Sequence, residues 1–340
     1  MSDSVAEDVL QQAGLVYVSD REPGITRHRR GRGFCYKLPG GKLLADAGIK
    51  QRIRALGIPP AYRDVWICMM ENGHLQATGL DDRGRKQYRY HVDWHSLRDE
   101  RKYHELARFG EALPRIRRRA RQDAENTEDG ETATLGALVM LLDAAHLRVG
   151  NTAYLQSNGT YGATTLLKRH ISFDEGLQLS FRGKGGKKIK QKLKVPRLQR
   201  LLEKIADLPG RKLFVWQDDD GEIRPVESGQ LNRYLCRIGG VAISAKTFRT
   251  WGGTVAAFGE CLSIVGKGES PTIRAMAEAA ARELANTPAV ARKSYIHPKV
   301  LGLATDPDLA AGLIASTAAS VRPRVGLRVV EQQLLAFLED

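Results

Sequence analysis

Tyr295 lies in the stretch Asn286 to His297, NTPAVARKSYIH, where a phenol is set among groups able to bind phosphate. Arg292 and Lys293 fall within a turn of it. Thr287 followed by Pro288 marks a helix start, because threonine caps free backbone N–H groups and proline is tolerated at the first helical position. Asn286 stands just before that start, where an anion is favoured. Three further cations have distinctive settings. Arg148 follows the strongly apolar run that begins at Thr134, Lys184 sits in RGKGG, and Arg249 lies in KTFRTWGGT with Lys246 three residues earlier on the same helix face. A phenol among cations is the equipment for attack on a phosphate. Taken singly, each residue has an equally ordinary reading: a packing tyrosine, an arginine that complements a helix end, or a lysine that keeps a hairpin soluble.

These side chains need elements to carry them. The run TLGALVMLLDAA should form a buried helix, and burying that much apolar surface would hold Arg148 firmly beside it. Two alternating runs around Gly185 and Gly186 read as a hairpin with Lys184 at its mouth. Arg249 belongs to the first turns of a helix, and an alanine-rich helix from Pro271 to Ala285 leads into the tyrosine segment. The glycines near Lys184 are no nucleotide-binding loop, since no Ser or Thr follows in the required pattern.

The rest of the chain reads as two domains: a β-rich one over residues 1–98 and a mainly helical one over 99–340, with 301–340 as a helical tail. LVYVS from Leu15 and GFCYKL from Gly33 are strand candidates, and Ala45 to Leu56 is a short helix stopped by Gly57. Asn72-Gly73 between two apolar runs signals a hairpin. In GRKQYRYH, Tyr88 and Tyr90 would share one strand face and Gln87 and Arg89 the other, a pattern that suits DNA contact or a protected edge strand. A helix should run from Ser96 to Pro114, followed by the arginine-rich RIRRRAR, and Tyr154 should lie on a loop.

Composition narrows the partner. The 340 residues carry a formal net charge of +14 with the basic residues clustered, which suggests a polyanion. Nucleic acid is favoured over membrane, because no apolar run approaches the roughly 18 to 20 residues needed to span a bilayer. No signal-peptide pattern is evident at Met1, and the four cysteines are widely spaced, as in a reduced, cytoplasmic protein. The eight histidines show no zinc-ligand spacing, so a metal site is not expected.

The spacing of Arg148, Lys184, Arg249 and Tyr295, together with IPPAYRDVWIC, GRKQYRYH, LRVGNTAYL, RGKGG, FRTWGGT and NTPAVARKSY in this order, resembles the type IB DNA topoisomerases, particularly the compact poxvirus and bacterial forms. The likeness spans about residues 20 to 300. It implies an α+β protein, a small β-rich N-terminal domain plus a larger helical catalytic domain, closing as a monomeric clamp round duplex DNA, preferentially supercoiled, in the cytoplasm at the nucleoid. It implies relaxation by single-strand cleavage through a 3′-phosphotyrosyl intermediate, rotation and religation, with neither ATP, metal nor other cofactor. By motif position, Tyr295 would be the nucleophile, Arg148 and Arg249 would bind the non-bridging oxygens, and Lys184 would be the general acid. Gln87, Tyr88, Tyr90 and Tyr154 would touch DNA. Asn286 stands where viral and eukaryotic members have histidine. It can still donate to a phosphate oxygen without a charge, and a well-placed charge-assisted donor is worth about 2–4 kcal/mol.

Two alternatives remain at this level. A tyrosine recombinase shares the Arg, Lys, Arg, Tyr order but usually has histidine where this chain has Lys246, and a helical N-terminal domain. A non-catalytic duplex DNA-binding protein would share the charge but not the whole set.

Overall fold

The computed structural model describes residues 10, 14–126, 128–241, 243–306, 309–310, 312–313 and 324–339, without the side chains of 95, 96, 98–101, 153, 154 and 157. The chain divides into two compact units, Met1–Lys102 and Tyr103–Asp340.

The first unit is built on a five-stranded antiparallel sheet of order β2-β1-β3-β4-β5. Its strands are β1 (Ile25–Arg30), β2 (Gly33–Lys37), β3 (Arg63–Ile67), β4 (Leu75–Leu80) and β5 (Lys86–Tyr90). Helix α1 (Ala47–Ala55), capped by the Asp46 carboxylate, contributes Ile53 to a core with Ile25, Val65, Ile67 and Ala77. Two sequence expectations fail here. LVYVS forms no strand: Val16 makes one isolated bridge to Gly73, while Tyr17 stacks on His74 with ring centroids 4.6 Å apart. Conversely ITRHRR, for which no strand was expected, is strand β1. Ile25 is buried at its start, and the Arg27 guanidinium is drawn inward to the carbonyls of Pro59 at 3.0 Å and Tyr62 at 2.6 Å.

The long helix α2 (Val92–Glu125), most of which belongs to the second unit, does not stop at Pro114. Proline costs one backbone bond and a kink, but Leu106, Phe109, Leu113 and Ile116 recur on one face and are all 0% exposed, so burial outweighs the lost bond. The arginines beyond it are largely engaged within the fold: Arg115 with the Gly239 carbonyl, Arg117 with Asp143 and Arg119 with Asp123. Helix α3 (Gly130–Ala145), capped by Asp129, buries Leu135, Leu138, Leu141 and Leu142, each worth about 1.5–3 kcal/mol. Then come α4 (Thr152–Asn158), a three-stranded sheet β6-β7-β8 (Ile171–Ser172, Leu177–Arg182, Lys188–Leu193) and α5 (Pro196–Asp207). The hairpin β9-β10 (Val215–Gln217, Ile223–Pro225) and α6 (Ser228–Gly239) follow. The unit ends in α7 (Ala245–Val265), α8 (Ile273–Leu284), α9 (Pro288–Tyr295), α10 (Pro298–Gly302) and α11 (Val329–Glu339). Among the described residues no helix is long and apolar enough to cross a membrane.

Candidate active site

Helix α3 ends at His146, whose left-handed backbone (φ 47°) turns the chain out of the helix. The loop this creates carries Arg148. Its backbone is pinned by the amides of Ala163, which bonds the Arg148 carbonyl at 2.8 Å, and Thr164, which bonds the Val149 carbonyl at 2.7 Å. Only glycine fits at 162, because a β-carbon there would lie 2.4 Å from the Gly150 nitrogen. Arg148 is thus presented from a fixed loop, and its Nη2 donates to Asn286 Oδ1.

Arg249 sits one turn into α7 and is 3% exposed. Its Nη1 donates to the His146 carbonyl and its Nη2 to the Leu284 carbonyl at 3.1 Å, so it ties α7 to the ends of α3 and α8. The Nε is buried without a partner. Burial and then the neighbouring Arg148 push its guanidinium below the ordinary arginine value. Gly252 and Gly253 allow the close approach of α7: a β-carbon at 252 would come 2.5 Å from the His146 ring, and one at 253 would come 2.7 Å from the Tyr295 carbonyl oxygen.

Tyr295 is the last residue of α9, whose start is the Thr287 cap and Pro288 anticipated from the sequence, with Thr287 Oγ1 accepting from the Val290 amide at 3.3 Å. The ring is 9% exposed, and the Arg249 guanidinium carbon stands 5.0 Å from its centroid. Burial alone would raise the phenol. Arg249, followed by Arg148 and Lys246, outweighs that and holds it below the usual tyrosine value. A phenol so placed gives up its proton more readily.

Asn286 follows the left-handed Ala285 (φ 49°) and is 9% exposed. With Oδ1 occupied by Arg148, its Nδ2 is left buried and unpartnered. Lys184 is exposed on the β7–β8 turn, where Gly185 and Gly186 both take φ 76°, and it lines the same depression as Arg148 and Arg249. The structure therefore joins Arg148 to Asn286 and Arg249 to Tyr295, and puts Lys184 on the rim.

The remaining expected residues lie elsewhere. Tyr154 is on helix α4 and not on a loop, and its side chain lies outside the described residues. Gln87, Tyr88 and Tyr90 belong to the first unit, on the edge strand β5. Tyr88 and Tyr90 stack on one face with centroids 6.0 Å apart, while the Gln87 amide donates to Asp81 at 2.9 Å.

Several participants were not singled out in the sequence. His146 supplies the carbonyl that orients Arg249, Lys187 Nζ reaches the Asn286 carbonyl at 3.1 Å, and Gln191 lines the depression with its Oε1 unpartnered. The paired glycines after Trp251 were the one available signal, since adjacent glycines inside a helix imply close contact.

A family model described as "Eukaryotic DNA topoisomerase I, catalytic core" matches residues 91–301, more than half of the chain, and one described as "Bacterial DNA topoisomerase IB, N-terminal domain" matches residues 33–81. A protein named "DNA topoisomerase 1B" from Acanthamoeba polyphaga mimivirus is 28% identical over 285 residues, covering 80% of this chain and 85% of its own.

Proposed function

This chain belongs to the type IB DNA topoisomerase family, and on that premise we propose that it relaxes supercoiled duplex DNA by transient cleavage of one strand, with Tyr295 as the nucleophile. The phenol oxygen attacks a backbone phosphorus, the bond to the 5′ oxygen breaks, and the strand is held as a 3′-phosphotyrosyl ester. Its free end rotates, and the 5′ hydroxyl attacks the ester to restore the strand. Because the ester is close in energy to the phosphodiester it replaces, neither ATP nor another energy source is required, and superhelical strain gives the direction.

The observation that carries this reading is a pair of buried N–H donors, Arg249 Nε and Asn286 Nδ2, left without partners on residues that contact the phenol ring or the second arginine. Each such donor costs about 1–3 kcal/mol when unsatisfied, so an acceptor brought by a ligand would lower the free energy of both. A phosphate supplies anionic acceptors for both. Phosphoryl transfer is largely positioning and charge stabilisation, so Arg148 and Arg249 are assigned to the non-bridging oxygens with Asn286 as a neutral third donor. The leaving 5′ alkoxide is far more basic than a phenolate. Lys184, on a turn free to reach it, is assigned as its general acid. Tyr88 and Tyr90, and Gln87 and Tyr154 by motif position, are assigned to duplex contact.

Two experiments examine these roles. Incubated with supercoiled plasmid, without ATP and with a chelator, the protein is expected to yield relaxed topoisomers; unaltered plasmid would end the proposal. Lys184→Ala should slow single-turnover cleavage by about 10²–10⁴-fold, with recovery on DNA carrying a 5′-thio leaving group that needs no acid. Failure of the sulfur substrate to restore the rate would remove Lys184 from that role.

A further inference from the structure

Helix α11 lies beyond residues 91–301, yet it packs on α7, which carries Arg249, and is linked through Arg117 to α3 and through Lys299 to α10, the helix that follows Tyr295. Its Glu331 is 0% exposed. The carboxylate accepts from Arg117 Nη1 at 2.8 Å and Nη2 at 2.9 Å, from Arg328 Nη2 at 2.8 Å, and from Trp251 Nε1 at 3.2 Å. Trp251 is on α7, two residues after Arg249. Arg117 also grips Asp143 through bonds of 2.9 Å, and Asp143 is on α3, three residues before the His146 carbonyl that holds Arg249 and five before Arg148. At the other end of α11, Phe337 stacks on Phe258 of α7 with centroids 5.6 Å apart, and its carbonyl accepts from Lys299 Nζ at 2.7 Å. Lys299 is on α10, four residues after Tyr295.

A carboxylate this deeply buried persists as an anion only because guanidinium groups face it. Burial would raise it, but Arg117 and Arg328 hold it far below the ordinary carboxylate range. Its partners are fixed in direction as well as in charge, since each guanidinium nitrogen and the indole donate along set lines. Such a node fixes the helices that meet at it.

We propose that α11 is a positioning element for the reacting centre and that Glu331 is its positioning residue, holding α3 and α7 together so that Arg148 and Arg249 meet one phosphate. This rests on the arginine roles proposed above. A guanidinium displaced by about 1 Å can lose some 10²-fold in rate, so a buried contact remote from the phosphate can govern the chemistry without touching DNA.

The test uses the full chain with Glu331→Gln, which keeps the side-chain volume but removes the charge and turns an acceptor into a donor facing other donors. Single-turnover adduct formation is measured on two duplexes that differ only at the cleavage position mapped for the unaltered protein: one has the natural phosphate, the other a methylphosphonate whose missing anionic oxygen removes the charge the arginines stabilise. The expected result is cleavage slowed about 10- to 100-fold on the phosphate, DNA affinity within about twofold, and a deficit below about threefold on the methylphosphonate. A purely structural defect lowers both rates alike; equal losses on the two substrates, or no loss on the phosphate, would overturn the inference. If Glu331→Gln melts below the assay temperature, Trp251→Phe takes its place. That change removes the indole donor together with part of a buried ring, so its melting temperature is measured alongside, and the same substrate-dependent pattern is required of it. No adduct with the unaltered protein on either duplex would instead overturn the functional reading itself, so the two failures are distinguishable.

Discussion

Tyr295→Phe is expected to bind duplex DNA as the unaltered protein does, to form no covalent adduct, and to relax no plasmid. The substitution removes one oxygen and leaves the ring that packs beneath the Arg249 guanidinium at 5.0 Å. Stability should therefore change by no more than about 1 kcal/mol. The chemical loss is of another order. Removal of a nucleophile that acts as a unit with its neighbours costs at least about 10⁴-fold. Denaturing gels of protein mixed with end-labelled duplex measure it, with a filter-binding assay as the control for affinity. A shifted, protease-sensitive band with the variant would show that another residue carries the strand.

Arg249→Ala should combine a large catalytic loss with a measurable loss of stability. Loss of one well-placed donor to a developing anion costs about 10²–10³-fold, and Arg249 is both donor and charge. The same side chain bonds the carbonyls of His146 and Leu284 inside the protein. Truncation strands both acceptors at about 1–3 kcal/mol each unless water enters. The pH dependence carries a further signature. Burial acts to raise the Tyr295 phenol, and Arg249 is the first of the groups that bring it down. Without Arg249 the phenolate loses its principal stabiliser, so the phenol's pKa rises and the ascending limb of the cleavage rate moves to higher pH. Arg249→Lys restores charge but cannot reach two carbonyls as a planar fork does, and should fall between. A limb that stays in place in Arg249→Ala would contradict the coupling between these two side chains.

Local signals in the sequence located much of the site. Thr287 and Pro288 mark a cap by their chemistry alone, the apolar run before His146 announces a buried helix, and the glycines after Lys184 announce a turn. What escaped depends on contacts distant along the chain. The passage of α2 through Pro114 is set by the burial of Phe109 and Leu113 against the remainder of the unit, which outweighs a local breaker. Strand β1 was hidden because the Arg27 guanidinium finds carbonyls more than thirty residues away, so a cluster of charges could enter a sheet. LVYVS has the composition of a strand but finds only a single bridge for its backbone. The Glu331 node joins α11 to residue 117, and nothing around either residue announces the other. His146 was invisible for a different reason: its contribution is a backbone carbonyl and a left-handed φ, neither of which is a property of the side chain.

The central claim is that the Tyr295 oxygen becomes joined to the 3′ phosphate of one DNA strand. The direct measurement is to trap the protein on nicked duplex with denaturant, digest both polymers, and identify the modified peptide and the DNA end by mass spectrometry. The predicted result is a nucleotide 3′-phosphate on the peptide containing Tyr295 and a free 5′ hydroxyl on the released strand. A 5′-phosphate linkage, attachment to any other residue, or no attachment in a sample that relaxes plasmid would contradict it.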